Sequence, residues 1–408
     1  PEETAEDLKR AMKGTDITKK RLAELAMYAQ QWIPMVEEYL EVPGFSSACY
    51  YFMAHTSERF DEQVTSVIAK YTPLSPEELS DGAFDIHWFF EAYGNVGEKD
   101  FKLLYDAAKY SSSGTAHSRA RKYADAALGK VSLEALMQEI DAKRNKDLLM
   151  SIGLLPLAKG KAKRERELLE RYQFIRKFQK ESRQFGAQRR ASEGRAAEIA
   201  LRNLSVNAGF TDVTRLVLRM EGKLTEMSSA YFDWQRVDEI ELMVSVDEWG
   251  KSSLKCRKDG KLLKSVPAKY KKNETVQKFQ EVHKKLKEQY SRTKLMMEQA
   301  MEDRTVFEVW ELRELGANPV VRPIVEFLVV RIAGDTDVFR MGFLTDEGLV
   351  DAVGNVLPVE PEEQVWIAHP FDLYQSGQWH EYQKVLFERQ IRQAFKQVFR
   401  ELYLKLDE

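Results

Sequence analysis

Cysteine is scarce in this sequence: Cys49 and Cys256 are the only two among 408 residues. They lie far apart, so they form neither a CxxC motif nor the paired framework of small secreted domains. Long apolar runs are also missing. The longest one, around Phe327 to Val330, ends at Arg331, and a membrane span needs about 20 apolar residues. We therefore expect a soluble protein of a reducing compartment, the cytoplasm, with no membrane partner.

The sequence lacks the short motifs of the common enzyme classes. It contains no GxxxxGK[ST], GxGxxG, HExxH or GxSxG pattern, so we expect no cofactor and no metal, and catalysis is the less favoured interpretation. The formal net charge of −3 indicates that nucleic-acid binding would need a local basic patch. No charged-then-apolar leader is visible, and the chain begins at Pro1 inside a charged helical pattern, so we expect a segment of a longer protein.

The first half has the apolar spacing of consecutive helices. Steps of three and four residues predict one buried stripe through Leu22, Leu25, Tyr28, Ile33, Val36 and Leu40. Ser75-Pro76-Glu77-Glu78 has the features of a capping box with proline in the first turn. Further helices are predicted over residues 85–93, 99–110, 118–128 and 133–150. Together these patterns predict a stack of paired helices.

The pattern changes after residue 152. Gly153–Lys163 is predicted to be a linker or exposed loop, followed by a long helical tract to about Gln188 and helices over 192–207 and 211–227. From residue 239 to 246 apolar and polar residues alternate, which is typical of a half-buried strand. Strands over 254–258 and 262–266 should pair with it, since Asp259-Gly260 is a strong hairpin-turn signal. This part therefore predicts a small antiparallel meander.

The remaining chain predicts an α+β arrangement. A charged helix over 272–301 is followed by a second capping box at Thr305–Glu308, by strands over 326–332, 338–344 and 364–368, and by a C-terminal amphipathic helix carrying Ile391, Phe395, Val398, Phe399 and Leu402 on one face. The fold class is thus mainly α with an α+β C-terminal part: a helical stack, then small antiparallel sheets packed with helices. We predict three domains, at 1–152 (helical), 153–230 (long basic helices) and 231–408 (α+β).

Two groups of acidic and histidine residues are weak candidates for chemistry. His369-Pro370-Phe371-Asp372, with His380-Glu381 close behind, is the one cluster of acid/base-capable residues that stands out. A strand end followed by an ordinary helix start is the more probable interpretation of His369, Asp372, His380 and Glu381. Asp335-Thr336-Asp337 matches a divalent-ion DxD, but a turn between strands is favoured.

The segment 159–195 has the local charge that a polyanion surface requires. It holds thirteen lysine or arginine residues against five glutamates. Phe174, Phe178 and Phe185 are predicted to be core anchors, whereas Lys177, Lys180, Arg183, Arg189 and Arg190 lie mostly elsewhere around the helix. Three interpretations stay open: a solvated or internally paired face, which is favoured, a nucleic-acid surface, or a surface for an acidic protein.

Several separated motifs resemble one large bacterial family of domains of unknown function. The residues that carry the resemblance are 184–193, 207–215, 259–268, 367–370 and 393–403. That family often accompanies an N-terminal WGR domain, as in proteins described as molybdate metabolism regulators (MolR-like). The resemblance implies a longer bacterial parent, a cytoplasmic location and protein partners such as a MoxR-type ATPase or a von Willebrand A protein. It implies no catalytic residues.

Three functions follow as hypotheses. The favoured one is a scaffold or regulatory module that acts through protein partners and possible nucleic-acid contacts. The first alternative is an enzyme with an unrecognised site near His369 and Asp372. The second is direct nucleic-acid binding through residues 159–195, which pairing of its arginines with glutamates inside the fold would contradict.

Overall fold

The structure is a computed structural model that describes residues 3–57, 61–334 and 340–402. The chain divides into two compact units, Pro1–Leu216 and Val217–Glu408. Among the described residues, no helix combines the length and apolar character needed to cross a membrane. The three-domain division stays a prediction.

The described part of the first unit is built from helices alone. They are α1 (Ala5–Met12), α2 (Lys19–Tyr28), α3 (Ile33–Leu40), α4 (Phe45–Thr56), α5 (Glu62–Ile68), α6 (Pro76–Asp81), α7 (Ile86–Ala108), α8 (Gly114–Ala127), α9 (Leu133–Lys143), α10 (Lys146–Ile152), α11 (Lys161–Glu181) and α12 (Ala187–Asn207). Helix α13 (Val213–Met227) spans the boundary between the units. The predicted helical stack is confirmed.

Local sequence signals set several of these helix ends. The capping box at the start of α6 is confirmed, because the Ser75 hydroxyl accepts from Glu78 N–H and the Glu78 carboxylate accepts from Ser75 N–H. The single helix predicted over 133–150 is wrong. Arg144 has a left-handed φ of +49°, and the Asn145 side chain caps a new helix by accepting from Leu148 N–H. The stripe predicted from residue 22 to 40 is likewise split into α2 and α3, and Tyr28 is exposed.

The core of the first unit is aromatic. Helices α4 and α7 pack Tyr51 against Trp88 and Phe101, with ring centroids 5.7 Å apart in both pairs. The buried Trp88 indole donates to Ser47 Oγ at 2.9 Å, which satisfies its only polar group. Part of the predicted linker also joins this unit's interior, because Leu154 and Leu155 are buried.

The second unit combines two antiparallel sheets with helices. Its strands are β1 (Gln235–Val237), β2 (Ile240–Val246), β3 (Ser252–Lys258), β4 (Lys261–Leu263), β5 (Phe307–Glu308), β6 (Val329–Ile332), β7 (Met341–Leu344), β8 (Leu349–Val350), β9 (Val356–Leu357) and β10 (Gln364–Ile367). Its further helices are α14 (Glu274–Glu302), α15 (Val309–Gly316), α16 (Arg322–Val325), α17 (Pro370–Gln375) and α18 (Trp379–Glu388). The strand orders are β1-β2-β3-β4 and β5-β10-β6-β7-β8-β9.

The meander follows its predicted alternation. Ile240, Leu242 and Val244 are buried and pack against α14, whereas the residues between them face outward. Asp259 and Gly260 both have positive φ, +49° and +75°, as a two-residue type I′ hairpin requires. The second antiparallel sheet and its helices complete the predicted α+β class.

Two predictions for the last hundred residues are wrong. Thr305 does not cap a helix, because 307–308 forms β5 and the cap is Glu308, whose partner is Glu311. The chain from 391 to 402 is not helical, although Phe395 and Val398 are buried as expected. Buried Gln397 explains this: its amide accepts from Val329 N–H and donates to the carbonyls of Val329 and Ala368, so tertiary hydrogen bonds replace a helix.

Candidate functional site

Asp372, the central residue of the predicted catalytic cluster, is fully buried and surrounded by donors. Its Oδ1 accepts from Arg331 Nη1 at 2.8 Å and from Arg304 Nη2 at 3.4 Å. Its Oδ2 accepts from the His369 backbone N–H at 2.9 Å and from Trp366 Nε1 at 3.3 Å. The donors come from β6, from β10, from the loop after α14 and from the start of α17.

This geometry favours a positioning role for Asp372. A general base needs a free lone pair that can reach a substrate proton. Here each carboxylate oxygen already faces two donors, and the side chain closes the capping box of α17 with His369. The buried ion pair with Arg331 joins α17 to the sheet, and both arginines lie over the Trp366 ring, at 5.3 Å for Arg331 and 5.9 Å for Arg304.

The other three candidates are not brought together around Asp372. His369 Nδ1 accepts from Phe371 N–H, and its Nε2 lies 3.6 Å from Glu302 Oε2. His380 and Glu381 lie in the first turn of α18, a separate helix, and His380 is exposed. Sequence proximity therefore does not translate into a convergent acid/base constellation.

An open pocket of about 360 Å³ lies on this unit. It is lined by Lys294, Glu298, Phe395, Lys396, Arg400 and Glu401. Arg400 pairs with Glu298 at 3.0 Å and also with Glu302, so its charge is compensated within the fold. None of His369, Asp372, His380 and Glu381 is among the lining residues.

Metal binding has no candidate in the part of the chain that the structure describes. No group of three or more His, Cys, Asp or Glu side chains is arranged there to hold an ion. The predicted DxD at 335–337 lies outside the described residues. Cys49 and Cys256 are both buried free thiols, and burial raises the pKa of each.

The helices of the basic segment 159–195 begin and end at other residues than predicted. The helical tract expected to reach Gln188 ends at Glu181, where Ser182 Oγ donates to Glu193 and lies within hydrogen-bonding distance of the Phe178 carbonyl. After a short 3-10 turn, Gly186 caps α12. Phe178 is buried as expected, whereas Phe174 and Phe185 are half-buried.

Arg144 lies at the centre of this region. Its guanidinium donates to Glu193, to Glu181 and to the Phe178 carbonyl, and it stacks 4.0 Å from the Phe178 ring centroid. Burial acts to raise the pKa of Glu193, but hydrogen bonds from Arg144, Ser182 and Arg189 outweigh it and lower this pKa to about 2. A cation from the turn after α9 thus holds α11 and α12 together.

Two of the five predicted nucleic-acid contacts take part in pairing within the fold. Arg189 donates to Glu193 at 2.9 Å and lies 3.7 Å from the Phe185 ring centroid. Lys177 pairs with Asp141 across α11 and α9. Lys180 is exposed, as are Arg183 and Arg190, and the latter two have no ion pair with another described residue. The region therefore offers fewer free cations than its composition indicates.

A second basic segment, residues 251–287, was not singled out by the sequence reading. It has the same length as 159–195 and the same thirteen lysine or arginine residues, but only three acidic ones. A sliding window of net charge would have found it. Its residues form β3, β4 and the first half of α14, and most of its cations have no ion pair with another described residue. These unpaired, exposed lysines are Lys251, Lys255, Lys261, Lys264, Lys271, Lys272, Lys278, Lys284 and Lys287.

Comparison with known families gives two matches. A family of unknown function (DUF5724) matches residues 1–220, and a domain of unknown function (DUF4132) matches residues 260–408. No match is found among curated proteins or among solved structures. The predicted resemblance to domains of unknown function is confirmed at this level. Because the first match covers more than half of the sequence, the chain belongs to the family of unknown function (DUF5724).

Proposed function

We propose that this chain is a non-catalytic binding module of a longer bacterial protein, a scaffold or regulatory element that acts through macromolecular partners. The observation that carries the proposal is the environment of Asp372, whose two oxygens are both occupied by donors from the fold. The most chemically suggestive carboxylate is thus used for packing. Nine lysines of 251–287, in contrast, are exposed and have no ion pair with another described residue, so they are available to an external partner.

The expected context of the module comes from its resemblance. A WGR-containing, MolR-like parent would place it beside protein partners of the MoxR-type ATPase or von Willebrand A classes, in the cytoplasm. The alternative of an enzyme near His369 and Asp372 would need a pocket reached by these residues, and the pocket described above does not include them. The alternative of nucleic-acid binding through 159–195 is weakened by the pairing of Arg189 and Lys177.

The proposal can be tested with the full-length parent in its own cells. Brief chemical cross-linking followed by size fractionation should recover the parent in assemblies heavier than the single chain. A variant carrying His369→Asn, His380→Gln and Glu381→Gln should give the same assemblies, because these side chains are not needed for partner contact. Recovery of the lone chain throughout would overturn the proposal. Loss of cellular function in the triple variant, with assemblies intact, would favour the enzyme alternative instead.

A further inference from the structure

Helix α14 presents a face of free lysines to solvent. Its apolar residues Val276, Phe279 and Leu286 are buried against the meander. The rest of its circumference and the residues just before the helix carry five exposed lysines without an ion pair to another described residue, here called the lysine face: Lys271, Lys272, Lys278, Lys284 and Lys287. From Lys278 to Lys287 the helix rises about 14 Å, and at 3.6 residues per turn Lys278, Lys284 and Lys287 are spread over about half of its circumference.

Three glutamates of α14, Glu274, Glu281 and Glu288, lie among these lysines. Glu288 lies 4.0 Å from Arg292. Glu281 already pairs with Lys285 at 2.8 Å, and Glu274 lies in the first turn of the helix, where its charge is stabilised by the helix dipole. In the remainder of the second unit acidic residues outnumber basic ones. The lysine face is therefore a local positive region within an acidic unit, and a field of this kind draws in a polyanion.

The types of side chain exposed on the lysine face indicate which class of anionic partner it suits. Leu262 in β4 and Leu295 further along α14 are exposed, but no large hydrophobic residue between them is, so the lysine face itself lacks the aromatic or aliphatic anchors on which protein interfaces depend. It also lacks the exposed aromatic rings that stack on the bases of single strands. Lysine contributes mobile point charges that suit phosphate oxygens without reading base edges.

We propose that the lysine face binds the phosphate backbone of duplex DNA without sequence preference. This inference rests on the proposed function, since it names the partner of the binding module. Contact with five phosphates gives a slope of log K against log salt of about −4.5. The bound duplex lies along α14, and the uncompensated lysines supply the affinity.

The test is fluorescence anisotropy of the whole chain with a labelled duplex across a salt series. A variant with Lys278→Gln, Lys284→Gln and Lys287→Gln should reduce the slope by about 3 and weaken binding at least tenfold at low salt. The matched control carries Lys99→Gln, Lys102→Gln and Lys109→Gln, three exposed lysines within α7 or at its C-cap that also have no ion pair to a described residue. It should bind like the wild type. Circular dichroism verifies that both variants are folded.

Each other outcome contradicts the proposal. Absence of duplex binding at low salt, or equal losses in both variants, would overturn the lysine face as a DNA site. Tighter binding of a single strand, of poly-glutamate or of anionic lipid vesicles would assign the face to another polyanion. In these last cases the binding-module proposal survives, because the cellular assemblies report on it independently.

Discussion

Arg144 and Glu193 form a largely buried ion pair, with Arg144 Nη2 2.7 Å from Glu193 Oε2, and 13% of the arginine and 3% of the glutamate side chain are exposed. The arginine sits in a left-handed turn between α9 and α10, and the glutamate lies in α12. Three helices thus meet on one pair of charges. The arrangement also explains why part of a strongly basic segment is unavailable to an outside ligand.

Removing one charge of this pair should destabilise the first unit strongly. We expect Glu193→Gln to lower the free energy of unfolding by about 3 kcal/mol, because the largely buried Arg144 loses its main counter-charge. Urea denaturation followed by circular dichroism measures this. Glu198→Gln, an exposed position on the same helix, is the control and should change stability by less than about 0.5 kcal/mol. Equal effects at both positions would mean that the pair is not important for stability.

His55 should make the first unit sensitive to mild acid. Burial lowers the pKa of its ring to about 4, and the Nε2 atom has no hydrogen-bond partner among the described residues. The folded pKa lies below the unfolded value of 6.5, so the unfolded chain binds more protons between these values. Above pH 6.5 the neutral His55 ring does not reduce the free energy of unfolding. As the pH falls from 6.5 toward 4, protonation of His55 in the unfolded chain lowers the free energy of unfolding by about 3 kcal/mol.

The measurement compares stability against pH for two variants. In His55→Gln the loss between pH 6.5 and 4 should shrink relative to the wild type, whereas His87→Gln, at an exposed position of α7, should keep the wild-type curve. Subtracting the curves removes the contribution of carboxyl groups that titrate in the same range. An unchanged curve for His55→Gln would show that its protonation does not oppose folding.

Asp372 should behave as a packing residue. Asp372→Asn loses the charge that Arg331 and Arg304 both face, so we expect the free energy of unfolding to fall by about 3 kcal/mol. The double variant His380→Gln with Glu381→Gln should leave stability within about 0.5 kcal/mol, since these residues start a separate helix. Thermal unfolding of each variant measures the difference. A fully stable Asp372→Asn protein would reopen the question of a catalytic role.

Arg183 and Arg190 provide a direct comparison between the two basic segments. We expect Arg183→Gln with Arg190→Gln to leave duplex binding and its salt slope unchanged, because the neighbouring cations Arg189 and Lys177 are paired within the fold. The anisotropy titration described for the lysine face gives the answer. A tenfold loss here, with the lysine-face variant unaffected, would assign nucleic-acid binding to 159–195.

The sequence predicted those parts of the fold whose signals are local. The alternation through Ile240, Leu242 and Val244 and the turn at Asp259-Gly260 need only their neighbours, and both are confirmed. The C-terminal helix failed for the opposite reason. Gln397 forms a hydrogen bond with Val329, 68 positions away. The apolar spacing of 391–402 gives no information about this distant partner.

The candidate sites follow the same rule. His369 and Asp372 could be recognised as acid/base-capable, but the donors that saturate Asp372 lie 41 and 68 positions away, at Arg331 and Arg304. The net positive charge of 251–287 can be counted from the sequence. Whether each lysine forms an ion pair cannot be determined in this way. Pairing depends on tertiary contacts such as Arg257 with Glu241, which a charge count does not contain.

The most direct test of the central claim is cross-linking of the full-length parent in its own cells, compared across three versions. These are the wild type, the lysine-face variant (K278Q/K284Q/K287Q) and the candidate-site variant (H369N/H380Q/E381Q). A binding module predicts heavy assemblies in the wild type and in the candidate-site variant, and loss of assemblies in the lysine-face variant alone would show that they depend on the bound duplex. Assemblies in all three, with function lost only in the candidate-site variant, would contradict the account.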